Sequence, residues 1–344
     1  MTDDAEILFA VEDGIATVTL SRPTALNALT LGMVREFHPK LIAWAADDAV
    51  TTVVVRGAGD KAFCAGGDIR ALYDNRGTAF TVDFFREEYR LNRAIHHYPK
   101  PYVALMDGIT MGGGVGVSVH ARHRVVSEAT MLAMPETGIG LFPDVGGSYF
   151  LPRMPGATGM YIALTGDRLR PADCVYAGIA DAYIPRAEHD ALIAALRTEP
   201  ADTVLARMTT DAGPASLEEN REAIDRCFSG NSVAEIETAL ADEDSPWASK
   251  VRAVMRGKSP LSQSVTFRQI REGAALDFDD CMRMEYRLSQ HFMAGREFFE
   301  GVRALVVDKD QKPVWQHATL DEVSDAEVDE YFAPLGDAEL TFEG

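Results

Sequence analysis

Two carboxylates, Glu136 and Asp144, stand eight positions apart in the run Met134-Pro135-Glu136-Thr137-Gly138-Ile139-Gly140-Leu141-Phe142-Pro143-Asp144, among apolar residues and glycines with no basic neighbour. An ionised carboxylate in apolar surroundings is costly, and acids placed this way often serve as a tuned acid/base or nucleophile pair. Pro135 and Pro143 stiffen the backbone just ahead of each acid. The same run also admits a plainer reading, a turn acid followed by a helix N-cap, with Asp144 leading into Val145-Gly146-Gly147-Ser148.

Two glycine segments shift that balance. Lys61-Ala62-Phe63-Cys64-Ala65-Gly66-Gly67-Asp68-Ile69-Arg70 follows the strand-like Thr51–Val55, and Gly108-Ile109-Thr110-Met111-Gly112-Gly113-Gly114-Val115-Gly116 follows the apolar Tyr102–Met106. Each reads as strand, glycine cluster, helix. Glycines let backbone N–H groups face a cavity without side chains in the way, and a helix beginning near Gly112 would aim its positive end at the same place. Two such donors can polarise one carbonyl oxygen and hold the charge that develops on it. Either segment alone fits a tightly packed turn; both, followed by the acid pair, favour a carbonyl-polarising enzyme.

At these residues the chain resembles the enoyl-CoA hydratase/isomerase (crotonase) superfamily. The matching pieces, in order, are Leu20-Ser21-Arg22-Pro23-Thr24-Ala25-Leu26-Asn27-Ala28-Leu29, the loop Ala65–Ile69, the Gly112-Gly113-Gly114 helix start and Pro135-Glu136. They continue through Met284-Glu285-Tyr286-Arg287-Leu288-Ser289-Gln290 and Glu300–Ala304. Phe84–Tyr89, Gly108–Gly116 and Met134–Gly147 look most like the 3-hydroxyisobutyryl-CoA hydrolase branch. The resemblance implies an α/β fold, a spiral of ββα units with a helical C-terminal region. It implies a thioester hydrolase acting on a short 3-hydroxyacyl-CoA, with a place in valine breakdown. It further implies an oxyanion hole from the N–H groups of Gly67 and Gly113, and catalysis by Glu136 and Asp144. Substrate contacts come from Glu88, Gly113, Glu136 and Asp144, and CoA contacts from Arg22, Ala25, Leu26, Ala65, Gly66, Asp68, Ile69 and Arg70. No cofactor or metal is expected, since CoA belongs to the substrate. The partner is an acyl-CoA, and a homo-oligomer is left open.

One departure separates the branches. Hydratases of the superfamily carry a further glutamate shortly after the triple glycine; here that position matches Gly116, and no acid follows before Glu128. Adding water across a double bond needs a base for the water and an acid for the α-carbon. Thioester hydrolysis therefore fits the surviving pair better. A hydratase or isomerase with an altered acid pair is the alternative, and a non-catalytic CoA-binding protein is the alternative of another class.

The 344 residues carry a net charge of −20, with 47% hydrophobic and 25% charged residues, an ordinary globular balance. That charge argues against nucleic acid and anionic membranes as partners. It also opposes a polyanion such as CoA, so Arg22, Lys61 and Arg70 would have to outweigh it locally. Cys64, Cys174, Cys227 and Cys281 are scattered, which disfavours zinc and a disulfide framework. Free thiols together with the acidic start Met1–Glu6 point to a cytoplasmic location. Gly57-Ala58-Gly59-Asp60-Lys61-Ala62 fits a dinucleotide fingerprint, but no helix can begin there.

Residues 1–200 are expected to form the spiral core with the CoA and acyl site, and 201–344 a mainly helical region packed on it. Glu6–Val11 and Ile15–Leu20 read as a hairpin, and Thr30 as the N-cap of a helix bearing Met33, Val34, Phe37 and Leu41.

Overall fold

The structure is a computed structural model and describes residues 5–342; the first four residues of the acidic start lie outside it. The chain divides into two compact units. The first comprises Met1–Asp68, Glu87–Ala133 and Arg168–Glu218, and the second Ile69–Arg86, Met134–Asp167 and Glu219–Gly344.

The first unit holds the sheets. Strands β1 (Ile7–Glu12) and β2 (Ile15–Leu20) form the expected hairpin, with Glu12 opposite Ile15. Asp13 and Gly14 both have positive φ, the geometry of a two-residue turn that matches strand twist. Next come β3 (Thr52–Gly57), β4 (Ala62–Cys64), β5 (Tyr102–Met106), β6 (Ile109–Met111), β7 (His123–Val126), β8 (Met131–Ala133) and β9 (Ala182–Tyr183). The six-stranded sheet has the order β1-β2-β3-β5-β7-β9 and the three-stranded one β4-β6-β8; every pairing except β1 with β2 is parallel. Successive pairs β3/β4, β5/β6 and β7/β8 thus give one strand to each sheet, which is the spiral of ββα turns. Val53, Val54 and Val55 are buried, as expected where a parallel strand is covered on both faces. Val54, Val103, Leu105 and Val125 pack with Leu192 and Leu196 of the helix His189–Leu196 and with Val204 and Leu205 of the helix Ala201–Met208. Thr30 caps the helix Leu31–Ala45, its side chain accepting the Met33 N–H at 3.1 Å.

The second unit is built mainly of helices, among them Thr158–Thr165, Pro260–Gly273 and Phe278–Ala294. The first of these is buried along its whole length. Among the described residues no helix is long and apolar enough to cross a membrane.

Candidate active site

In the first unit, the loop after β4 and the turn after β6 come together. A Cβ added to Gly113 would stand 2.6 Å from Glu88 Oε1 and 3.1 Å from the Gly67 nitrogen, so this corner has no room for a side chain. Gly114 passes even closer to β4; a Cβ there would lie 2.1 Å from the Cys64 carbonyl oxygen. Neither the Gly67 nor the Gly113 N–H donates to another described residue. The helix expected from Gly112 is a single turn, Gly113–Gly116, entered through Gly112 at φ +45°. Three glycines in four positions are poor helix formers, so the turn does not propagate, and the field of a long helix is absent here.

Sequence left Glu87 and Glu88 open between a solvated face and a site. The helix Ala79–His96 sends the two opposite ways. Glu87 pairs at the surface with Arg35, at 2.6 Å, while Glu88 is 2% exposed and turned to Gly113. Beside them, Cys64 donates its thiol to the Gly66 carbonyl at 3.5 Å, and burial pushes its pKa up to about 12.

Backbone bonds stitch the expected CoA segments together: Ala65 N–H to Leu26 O at 3.0 Å, and Leu29 N–H to Gly66 O at 2.8 Å. Leu26 sits in a left-handed turn directly after Ala25. Arg22 reaches Glu6 at 2.9 Å and Asp68 at 3.1 Å, and Arg70 reaches Asp74 at 2.7 Å. Ile69 and Arg70 open the helix Ile69–Asp74, which belongs to the second unit. Two of the cations expected to offset the net charge are thus already compensated by acids.

In the second unit, Pro135 leads into the one-turn 3-10 helix Glu136–Ile139, and Glu136 is 4% exposed. Its Oε2 is buried without a hydrogen-bond partner among the described residues. Burial first, and the charge of Asp144 second, raise its pKa well above the usual carboxylate range. Lys258 opposes that rise. A side chain on Gly138 would meet Lys258 Nζ at 3.0 Å, and burial lowers the pKa of the ammonium.

Asp144 is 6% exposed. The short helix Gly147–Phe150 is capped by Gly146 without a side-chain bond, and Gly147 N–H bonds the Asp144 main-chain oxygen at 2.9 Å. The plain N-cap reading of this acid therefore fails. A third acid, Glu285, joins the unit: it is fully buried, and burial raises its pKa to about 8. Sequence reading quoted its phrase but gave it no role, and passed over Lys258. Glu285 was signalled only as an acid between the buried Met284 and Tyr286, and Lys258, after the exposed Arg256 and Gly257, carried no such signal. The arrangement supplies a neutral donor corner in one unit, and in the other a carboxyl group that burial and a neighbouring acid make harder to ionise.

The enoyl-CoA hydratase/isomerase family model matches residues 15–332. The 3-hydroxyisobutyryl-CoA hydrolase, mitochondrial, of Gallus gallus is 47% identical, over 98% of this chain and 91% of that protein. Its Homo sapiens namesake is 44% identical, over 99% and 92%. A crystal structure of a carnitinyl-CoA dehydratase from Mycobacterium thermoresistibile has a TM-score of 0.95 at 44% identity, covering 99% of this chain and all of that one. The relatives' names overturn the expectation of a cytoplasmic protein, since they read mitochondrial. Buried free thiols suit any reducing compartment, so cysteine usage could not separate one from another. A family match through both units, with relatives aligned from end to end, makes this chain a member of the enoyl-CoA hydratase/isomerase family.

Proposed function

We propose that the protein hydrolyses 3-hydroxyisobutyryl-CoA, or a closely similar short 3-hydroxyacyl-CoA, to the free hydroxyacid and CoA, a step of valine breakdown. The observation that carries this reading is Glu136: a buried carboxyl group with an unpartnered oxygen and a raised pKa beside a second acid. Gly116, also buried, supplies no further acid after the triple glycine.

In this reading the N–H groups of Gly67 and Gly113 stabilise the oxyanion that forms from the thioester carbonyl. Glu136 acts on the carbonyl carbon, either by direct attack to a mixed anhydride that water then opens, or by taking a proton from the attacking water. The C–S bond breaks in both routes, and CoA leaves as its thiol after gaining a proton. Asp144 orients the substrate hydroxyl or the water, and Glu88 binds the hydroxyacyl end. Arg22, Ala25, Leu26, Ala65, Gly66, Asp68, Ile69 and Arg70 hold CoA, which is the leaving group, so the reaction calls for no separate cofactor.

A second reading, hydration of an enoyl-CoA by Glu136 and Asp144, draws on the resemblance to a structure named as a dehydratase. Incubation with 3-hydroxyisobutyryl-CoA and, separately, with crotonyl-CoA tests both. Thiol release from the first is expected to exceed loss of double-bond absorbance in the second. The reverse order overturns the hydrolase reading.

A further inference from the structure

Glu285 takes no part in the chemistry proposed for Glu136, yet it is a wholly buried carboxyl group, which an apolar core does not keep without cause. It stands on the helix Phe278–Ala294, and both of its oxygens are committed to one turn. Oε2 accepts the N–H of Gly146 and Oε1 that of Ser148, each at 2.8 Å. This turn carries Asp144, and its backbone is unusual. Val145 has φ +50° and Gly146 φ +89°, two successive residues in the left-handed region. A β-branched side chain is poorly tolerated there, and such a conformation persists only where its surroundings impose it.

The turn is gripped on its other side as well. Gln269, on the helix Pro260–Gly273, donates from Nε2 to the Pro143 carbonyl at 2.6 Å and to Ser148 Oγ at 2.9 Å. Gly273 of that helix passes so close that a Cβ would lie 2.1 Å from the Ser148 carbonyl oxygen. The chain is therefore fixed immediately before and shortly after Asp144. As a carboxylate, the form above about pH 8, Glu285 offers two acceptor oxygens in one fork to two neighbouring N–H groups. A glutamine would meet one of them with an NH2, donor against donor.

We propose that Glu285 is the positioning residue of the reaction: by holding the Gly146 and Ser148 N–H groups it keeps the Val145–Gly146 turn in its left-handed shape and so sets the direction of Asp144. This inference rests on the assignment of Asp144 to the substrate hydroxyl or the attacking water.

The test is Glu285→Gln, assayed above about pH 8, where Glu285 is ionised, and below the unfolding temperature, with 3-hydroxyisobutyryl-CoA and isobutyryl-CoA. The kcat for the hydroxylated thioester is expected to fall, and the preference for it over the plain one to shrink by about tenfold, the scale of one displaced charged hydrogen bond. The KM for isobutyryl-CoA should stay near its wild-type value. Adding Glu285→Gln to Asp144→Asn should leave the preference where Asp144→Asn alone puts it, because the first acts through the second. Gln269→Met, which loosens the same turn from its other side, should lower the preference in the same direction, and it serves if Glu285→Gln does not fold. A Glu285→Gln protein that loses only melting temperature, while Asp144→Asn lowers the preference, overturns the inference alone. An unchanged preference in Asp144→Asn overturns the Asp144 assignment and the inference with it.

Discussion

The glycine corner of the sheet unit and the acid turn of the helical unit solve different problems. In the proposed reaction Gly67 and Gly113 offer main-chain N–H donors, neutral at any working pH and placed by local backbone and close approaches such as Gly114 on Cys64. In the same proposal Glu136 and Asp144 act through their carboxyl groups, so their surroundings must set proton affinity as well as place. That takes partners from far along the chain: Glu285 lies 139 positions from the Gly146 N–H it accepts. A fixed dipole can be written into one loop, whereas a tuned acid needs a neighbourhood.

The comparison breaks most sharply on the donor side. Gly113→Ala puts a methyl group 2.6 Å from Glu88 Oε1 and 3.1 Å from the Gly67 nitrogen, which must move apart. Turnover is expected to drop by about 10²–10³-fold, the cost of losing one oxyanion donor. Displacing Glu88 should cost the hydroxylated thioester more than the plain one, while the pH–rate profile should keep its shape. A shifted acid limb in this variant would erase the distinction between the two regions.

Glu136→Gln tests the other side. The amide keeps the shape but is neither nucleophile nor base, so thiol release should fall by at least about 100-fold with KM nearly unchanged. Near-normal turnover would remove Glu136 from the chemistry.

Asp144→Asn sharpens the contrast without abolishing activity. Asp144 is a cause of the raised Glu136 pKa, so removing its charge lets Glu136 ionise more easily, and the acid limb of kcat/KM should move to lower pH. The preference for 3-hydroxyacyl over plain acyl thioesters should fall by about 1.5–3 kcal/mol if the carboxylate itself holds the hydroxyl. An acid limb that stays in place would uncouple the pair.

The smallest effect is on stability. Burial raises the Glu285 pKa from the ordinary 4.5 to about 8, so the folded state favours the protonated form. That contribution is present in full below about pH 4.5 and is lost as pH rises through about 8. Glu285→Gln should be less stable overall, but its melting temperature should decline less steeply over that interval. Equal slopes measured by calorimetry would contradict the raised pKa.

Much of the glycine corner was legible in the sequence, because strand, glycine cluster and turn are local patterns, and Gly67, Gly113 and Glu88 do lie together. The apolar valines of β3 and the positive-φ pair Asp13-Gly14 announced their elements for the same reason. The acid side was legible only in part. Glu136 and Asp144 stood out as acids without cations nearby in sequence. Lys258, which opposes the raised pKa of Glu136, and the two-N–H grip of Glu285 arise from contacts across more than a hundred residues, which periodicity cannot carry. The one-turn limit of Gly113–Gly116 follows from glycine propensity, although the segment read as the start of a helix. Compartment was not legible, because buried thiols report redox conditions and not an address.

Cys64 brings one more consequence. A thioester is an acyl donor to any thiolate within reach, and this cysteine stands three residues before Gly67. With its pKa pushed up to about 12, only about one molecule in 10⁵ carries the thiolate at pH 7. Exchange of the acyl group onto the protein's own sulfur is thereby suppressed, and oxygen nucleophiles receive it instead. The same burial keeps all four cysteines from competing with released CoA for a thiol reagent. Among activated acyl groups, the protein's own sulfurs are thus poor acceptors.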